Sequence, residues 1–371
     1  MRQRLLVSVY ILWTSVAAVS GNRAVLAFVD GAGMGHAAFG GLPTDSMRWA
    51  RGAVATPAGD TALVASMLST GCEDLKEGGV SAFRNDVFAD KLHESFHRKG
   101  GSFALVTSKC VDDGTTSPFV TSWGDRYDLS GVSGRISVKR PQPSLLAGGF
   151  SSTLWQAAAE NGSSFLRFDS DASTTFAETC EYPPNDKFAS RVADALDQAL
   201  EKDDGGGFLL VLVFTGVDAA SHKGYGVASA LGVVKSTLTD TENKLVEYGG
   251  AWRMVVVGSH DTGGFSSEGV AKHRKHSDPG TMVPIFTRGV SASDLAASTH
   301  MWDVARLLEP SHRCLRERDN MYVGAEQRAR AKQHRHRTRD GHRTREGRGD
   351  ILIVAIFFAW FGVLVVCWWC V

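Results

Sequence analysis

Short apolar runs recur along the chain between polar and glycine-rich stretches, and their length separates strands from helices. Residues 23–29 (RAVLAFV), 103–106, 208–214 (FLLVLVF), 254–257 and 282–286 are brief and rich in β-branched or aromatic side chains, which predicts buried strands. Residues 144–146, running into Gly148 and Gly149, predict another. Residues 189–200 follow a different rule. Apolar positions 192, 195, 196, 199 and 200 fall on one face at helical spacing. Residues 61–67 (TALVASM) read as the start of a buried helix, and 225–245 as a further helix. Strands alternating with helices predict an α/β fold on a mostly parallel sheet.

The termini break this pattern. Arg2 and Arg4 precede an apolar run ending in Ala18, Val19 and Ser20, which predicts a signal peptide over residues 1–20 and entry into the secretory pathway. Residues 351–371 (ILIVAIFFAWFGVLVVCWWCV) carry no charge and are long enough to span a bilayer. A transmembrane anchor and a glycolipid-attachment signal both fit them. The expected organisation is therefore a signal peptide at 1–20, a folded domain at 21–310, a basic stalk at 311–350 and an anchor or attachment signal at 351–371. The domain would face the lumen or the outside, attached to a membrane.

Composition adds little to this. The chain has 371 residues with 40 Lys and Arg against 40 Asp and Glu, so net charge selects no partner. Residues 327–349 are the exception, with nine Arg or Lys, three His and two acids. That stretch has too few apolar residues to pack and suits anionic lipid or another polyanion. Cys72, Cys110, Cys180 and Cys314 lie in the expected domain, and their three pairings stay open. Asn161-Gly162-Ser163 is a glycosylation sequon, relevant if the chain is secreted.

Candidate chemistry gathers just after the strand-like runs. Asp30, Asp218 and His260 each follow one closely, where an α/β sheet places its ligands. Asp218 and His222 are four apart, so a helix beginning there would set both on one face. Carboxylate oxygen and imidazole nitrogen suit zinc, and equally a helix cap beside a solvated histidine. His273 and His276 are further donors.

Five segments, in order, resemble the alkaline phosphatase family: TPAGDTALVASMLSTG, ALVTSKCVDDGTTSPF, KRPQPSLLAGG, SHDTGGF and HSDPGTMVPIFTRG. The resemblance covers roughly residues 24–305. It implies a doubly wound α/β fold, a phosphomonoesterase activity, two zinc ions and a magnesium ion. Carried over, the first zinc site is Asp218, His222 and His276, with His273 as the alternative. The second keeps His260, but Ser259 stands where an aspartate is expected. Its other carboxylate falls on Ala32 by strict alignment, with Asp30 two places early, and Asp261 is a substitute that points elsewhere along the chain.

The same resemblance places the nucleophile at Thr56, which as an isolated residue reads equally as a helix N-cap before Pro57. Arg140 matches the phosphate-clamping arginine or is a surface residue. Asp113 and Thr115 match two magnesium ligands, but Val213 occupies the glutamate position, leaving Asp112 or a water to fill in. The function implied is a metal-dependent phosphomonoester hydrolase of low activity acting on a phosphate monoester, with a homodimer as the expected assembly. The alternatives are an inactive metal- or phosphate-binding relative and a single-metal enzyme acting on phosphodiesters or transferring phosphoryl groups.

Overall fold

The computed structural model describes residues 22–38, 49–56, 60–83, 87–138, 141, 143–161, 166–167, 186–260, 262 and 282–315. Eight strands form one sheet: β1 (Asn22–Val29), β2 (Ala50–Ala55), β3 (Ser102–Cys110), β4 (Leu145–Gly149), β5 (Leu166–Arg167), β6 (Gly207–Phe214), β7 (Trp252–Gly258) and β8 (Met282–Arg288). Their order is β2-β8-β7-β1-β6-β3-β4-β5. The pairs from β7 through β1, β6, β3 and β4 to β5 are parallel, while β8 runs antiparallel to both β7 and β2. The sheet is thus mixed and mostly parallel.

The strand period of two sorts side chains between two cores. Leu26, Phe28, Leu209, Val211, Val213, Val255 and Val257 enter one apolar cluster. Helical residues on that face complete it, chiefly Leu63, Val64 and Leu68, Leu92 and Phe96, and Val132 and Ile136. Val25, Ala27, Leu210, Leu212, Met254 and Val256 enter the other. Every residue of β6 is buried, as a strand covered on both faces must be. Each large apolar side chain so buried contributes roughly 1.5–3 kcal/mol.

In chain order the helices are α1 (Met34–Ala38), α2 (Thr61–Thr70), α3 (Leu92–His97), α4 (Leu129–Val138), α5 (Ser152–Asn161), α6 (Asp186–Glu201), α7 (Gly216–Lys223), α8 (Val227–Tyr248), α9 (Ala292–Ala297) and α10 (Val304–Leu308). The spacing read at 189–200 is the buried face of α6, formed by Val192, Ala195, Leu196, Ala199 and Leu200. Helix α2 begins at Thr61 with Asp60 as its N-cap, so the capping alternative for Thr56 does not hold.

Packing continues to Leu315, whose carbonyl accepts from the Asp90 amide at 2.9 Å. Cys72 pairs with Cys314, and Cys110 is disulfide-bonded as well.

The expected membrane-attached placement is corrected here. No helix among the described residues is long and apolar enough to cross a membrane. The longest, α8, carries Lys235, Asp240, Glu242, Lys244 and Glu247 along its 22 residues and is an amphipathic surface helix. Residues 1–20 and 351–371, on which that expectation rested, and the basic stretch 327–349 lie outside the described residues.

Candidate metal centre

The site is set by strand register. Val29 of β1 lies beside Phe214 of β6 and Gly258 of β7, so the chain leaves all three strands at one level. The Asp30 amide donates to Phe214 O at 2.8 Å, and the Ser259 amide to Val29 O at 3.2 Å. Helix α7 starts against this edge, with the Asp218 amide on Asp30 O at 3.1 Å. That approach requires Gly31. Its φ is +78°, and a Cβ there would stand 2.7 Å from Asp218 Cα. Gly258 is needed similarly, because its Cβ would meet Ala32 O at 1.9 Å.

One ligand atom from each of Asp30, Asp218 and His260 lies within 4.8 Å of the others. Asp218 Oδ1 is 3.6 Å from His260 Nε2 and 3.5 Å from His222 Nε2. The i, i+4 spacing of Asp218 and His222 does put both on one face of α7. Asp30, which alignment left two places early, is the carboxylate that reaches the cluster, while Ala32 is a buried member of the apolar core.

Ser259 organises the group. Its Oγ accepts from the Gly31 amide at 2.8 Å and donates to Asp30 Oδ1 at 2.9 Å. A hydroxyl has one proton, so the 2.8 Å contact with His260 Nδ1 must use that ring's N–H as donor. A neutral His260 then keeps its lone pair on Nε2, facing Asp218. A second hydroxyl, Thr61 Oγ1 at the first residue of α2, donates to Asp30 Oδ1 at 3.2 Å.

Charge is concentrated here. Burial and then the negative Asp218 push the Asp30 carboxyl up to about 6, against the opposing pull of His260, Ser259 and Lys109. Burial also opposes ionisation of Asp218, but in the metal-free site the positive charge of protonated His260 and His222, with Lys109, outweighs it and holds that carboxyl below its usual range. Lys109, at the end of β3, lies 3.1 Å from Asp113. Burial disfavours its ammonium, yet Asp113, Asp30 and Asp218 together raise its pKa.

The residues fit a zinc ion. Ligand atoms about 2.0–2.1 Å from a tetrahedral zinc stand about 3.3–3.4 Å apart. The two Asp218-to-histidine separations, 3.5 and 3.6 Å, are close to that edge. Asp218 Oδ1 is buried with no hydrogen-bond partner, as expected of an oxygen shaped for a cation. The Nδ1–H of His260 resting on a hydroxyl is the support a metal-bound imidazole needs.

Other residues named from the sequence are placed differently. Thr56 is fully buried one residue beyond β2. Asp113 and Thr115 share the turn after β3, where Asp113 Oδ1 accepts from the Thr115 amide at 2.9 Å. Asp112 is turned away, accepting from Ser133 Oγ at 2.8 Å and from Ser151 Oγ. Arg140, Asp261, His273 and His276 lie outside the described residues.

Three neighbours were missed. Asp60 caps α2 by accepting from the Ala62 amide at 3.0 Å, and its same oxygen takes Arg126 Nη1. Arg126 also donates to Tyr127 Oη at 2.7 Å and lies over that ring. Asp60-Thr61 ahead of an apolar run is a helix-start signature, so Thr61 was readable. Arg126 had no local signal.

No protein-family model and no curated protein matches the sequence. Solved structures do. The alkaline phosphatase from the Antarctic bacterium TAB5 superposes with a TM-score of 0.62 at 14% identity, over 78% of this chain and 97% of that one. The cold-active alkaline phosphatase from the psychrophile Shewanella sp. gives 0.52 at 16%, over 66% and 69%. That from Thermus thermophilus gives 0.51 at 17%, over 66% and 61%. A variant of the TAB5 enzyme carries Mg in its M3 site. At these identities the likeness is one of fold: this chain has the alkaline phosphatase fold in a divergent form.

Proposed function

We propose that this protein is a metal-dependent phosphomonoester hydrolase with Thr61 as its nucleophile. The observation that carries the reading is the convergence of Thr61 Oγ1, Asp30, Asp218 and His260 at one sheet edge. A zinc ion held by Asp30, Asp218 and His260, with its fourth position open, would supply positive charge for the transferring phosphoryl group and ease ionisation of a bound hydroxyl.

The chain's own residues do the rest. The Thr61 hydroxyl points its proton at Asp30 Oδ1, leaving an oxygen lone pair for phosphorus. Bond formation from Oγ1 to phosphorus passes the hydroxyl proton to Asp30 and breaks the ester P–O bond, and the departing alkoxide takes a proton from solvent. Water then cleaves the phosphothreonine, releasing phosphate and restoring the hydroxyl. The amides opening α2 favour an anion at this position. Arg126, anchored by Asp60 at the same helix end, has further N–H groups to offer phosphate oxygens. Placing the nucleophile at Thr61 rather than Thr56 is supported by the 3.2 Å bond to Asp30 and by the complete burial of Thr56.

Ser259 favours a second reading, a phosphate-binding protein without turnover, because it gives the site a hydroxyl in place of a carboxylate. Hydrolysis of an aryl phosphate by the zinc-loaded protein separates the two. We expect slow turnover, abolished by Thr61→Val and unchanged by Thr56→Val. Turnover surviving Thr61→Val would remove the nucleophile, and none in the native protein would favour the binding reading.

A further inference from the structure

The resemblance that brings zinc also brings magnesium, and here the residues do not fit. A magnesium ion requires several oxygen donors in near-octahedral array. At the expected glutamate position Val213 is a fully buried member of an apolar cluster and offers no donor. Asp112, the nearest spare carboxylate in sequence, is 1% exposed and occupied by Ser133 and Ser151. Of the expected set, Asp113 keeps a carboxylate, but one oxygen takes the Thr115 amide at 2.9 Å. The other faces an ammonium, with Lys109 Nζ at 3.1 Å from Oδ2.

We propose that the site takes no magnesium and that Lys109 supplies the positive charge in its stead, as a positioning residue for the phosphoryl group. This deepens the hydrolase reading and rests on it. Lys109 comes from the end of β3, next to the β6 edge from which α7 departs, and Ser108 beside it bonds Thr215 Oγ1 at 3.0 Å, tying the two strand ends together. Its charge therefore sits among three carboxylates: Asp113 in contact, with Asp30 and Asp218 near enough to act on it. With Ser259 and Val213 both lacking a carboxylate, the site has two fewer negative charges than the full set of family ligands. A resident monovalent ammonium is a better match to that reduced charge than a further divalent ion. The long, flexible lysine stem also lets the charge follow the group being transferred.

The test uses the full chain, with zinc content measured first, and Mn²⁺ as the paramagnetic stand-in for magnesium. We expect added Mn²⁺ to keep its free-ion electron paramagnetic resonance spectrum. A bound signal that disappears in Asp113→Asn would overturn the proposal, whereas one insensitive to that change puts the ion elsewhere and leaves the assignment standing. Inorganic phosphate binding, followed by calorimetry, reads the role of the charge. Lys109→Met should weaken it by roughly tenfold or more, and Lys109→Arg should stay within about threefold of native. Native affinity in a folded Lys109→Met protein would overturn the positioning role. A native protein that takes up neither zinc nor phosphate would instead sink the hydrolase reading, and the Mn²⁺ result would still decide whether a magnesium site exists.

Discussion

Ser259 Oγ donates a 2.9 Å hydrogen bond to Asp30 Oδ1 and, through its 2.8 Å contact with His260 Nδ1, links a carboxylate from β1 to an imidazole from β7. One hydroxyl thereby fixes the orientation of two candidate ligands and the tautomer of one. Losing such a support to a metal ligand typically weakens metal binding about 10–100-fold. Ser259→Ala should show that loss in a competition titration against a zinc-binding dye. Ser259→Asp should restore a carboxylate and raise aryl phosphate turnover. A Ser259→Ala protein with native zinc affinity would show that the hydroxyl is not part of the support.

Arg126 gives a separate prediction about phosphate. Its guanidinium is fixed by Asp60 and Tyr127 near the start of α2. Arg126→Ala should weaken inhibition by inorganic phosphate about tenfold or more, and Arg126→Lys should recover little, since an ammonium cannot reproduce the planar fork. Full recovery by lysine would mean that charge alone is used.

Asp30 predicts an unusual pH dependence in the metal-free protein. Its carboxyl is raised from 3.8 to about 6, so the folded state binds a proton there more tightly than the unfolded chain. The associated stability is fully present below about pH 4 and is lost as pH rises through about 6. Thermal unfolding followed across this range should show that contribution in the native protein and not in Asp30→Asn. Zinc should raise the melting temperature more at pH 7 than at pH 5, because the ligand must be ionised to bind.

His312 predicts the opposite slope. It is 1% exposed, donates from Nε2 to Thr70 O at 2.8 Å and accepts from Ser95 Oγ at Nδ1, also at 2.8 Å. Burial holds its pKa below 6.5. The unfolded chain takes up a proton as pH falls past that value while the folded chain resists. Stability from this residue is therefore present above about pH 6.5 and lost as pH falls through the depressed folded value. His312→Gln should be less stable at neutral pH and show a flatter acid limb in the same unfolding series.

The parts of the fold legible in the sequence are those with a strong period. FLLVLVF became the fully buried β6, and the spacing at 189–200 became α6. Strand β2, ARGAVA, escaped notice because its burial is partial and an arginine and a glycine interrupt it. At the site, Asp30, Asp218 and His260 were legible because each closely follows a strong strand, and His222 because it stands four residues from Asp218. Only the family alignment, which counts residues, put Asp30 two places early, whereas the backbone places the first residue after β1 at the sheet edge. Thr61 was obscured by counting back from it, although its own position at a helix start was readable. Arg126 and Lys109 act through tertiary neighbours, Asp60 and the three carboxylates, which no local pattern encodes.

The central claim is that Asp30, Asp218 and His260 are a zinc site, and metal content tests it most directly. Elemental analysis of the purified, folded full chain should find at least one zinc per chain, lost in both Asp218→Asn and His260→Ala while the fold is kept. A well-folded native protein carrying no zinc and taking none up on addition would contradict the account.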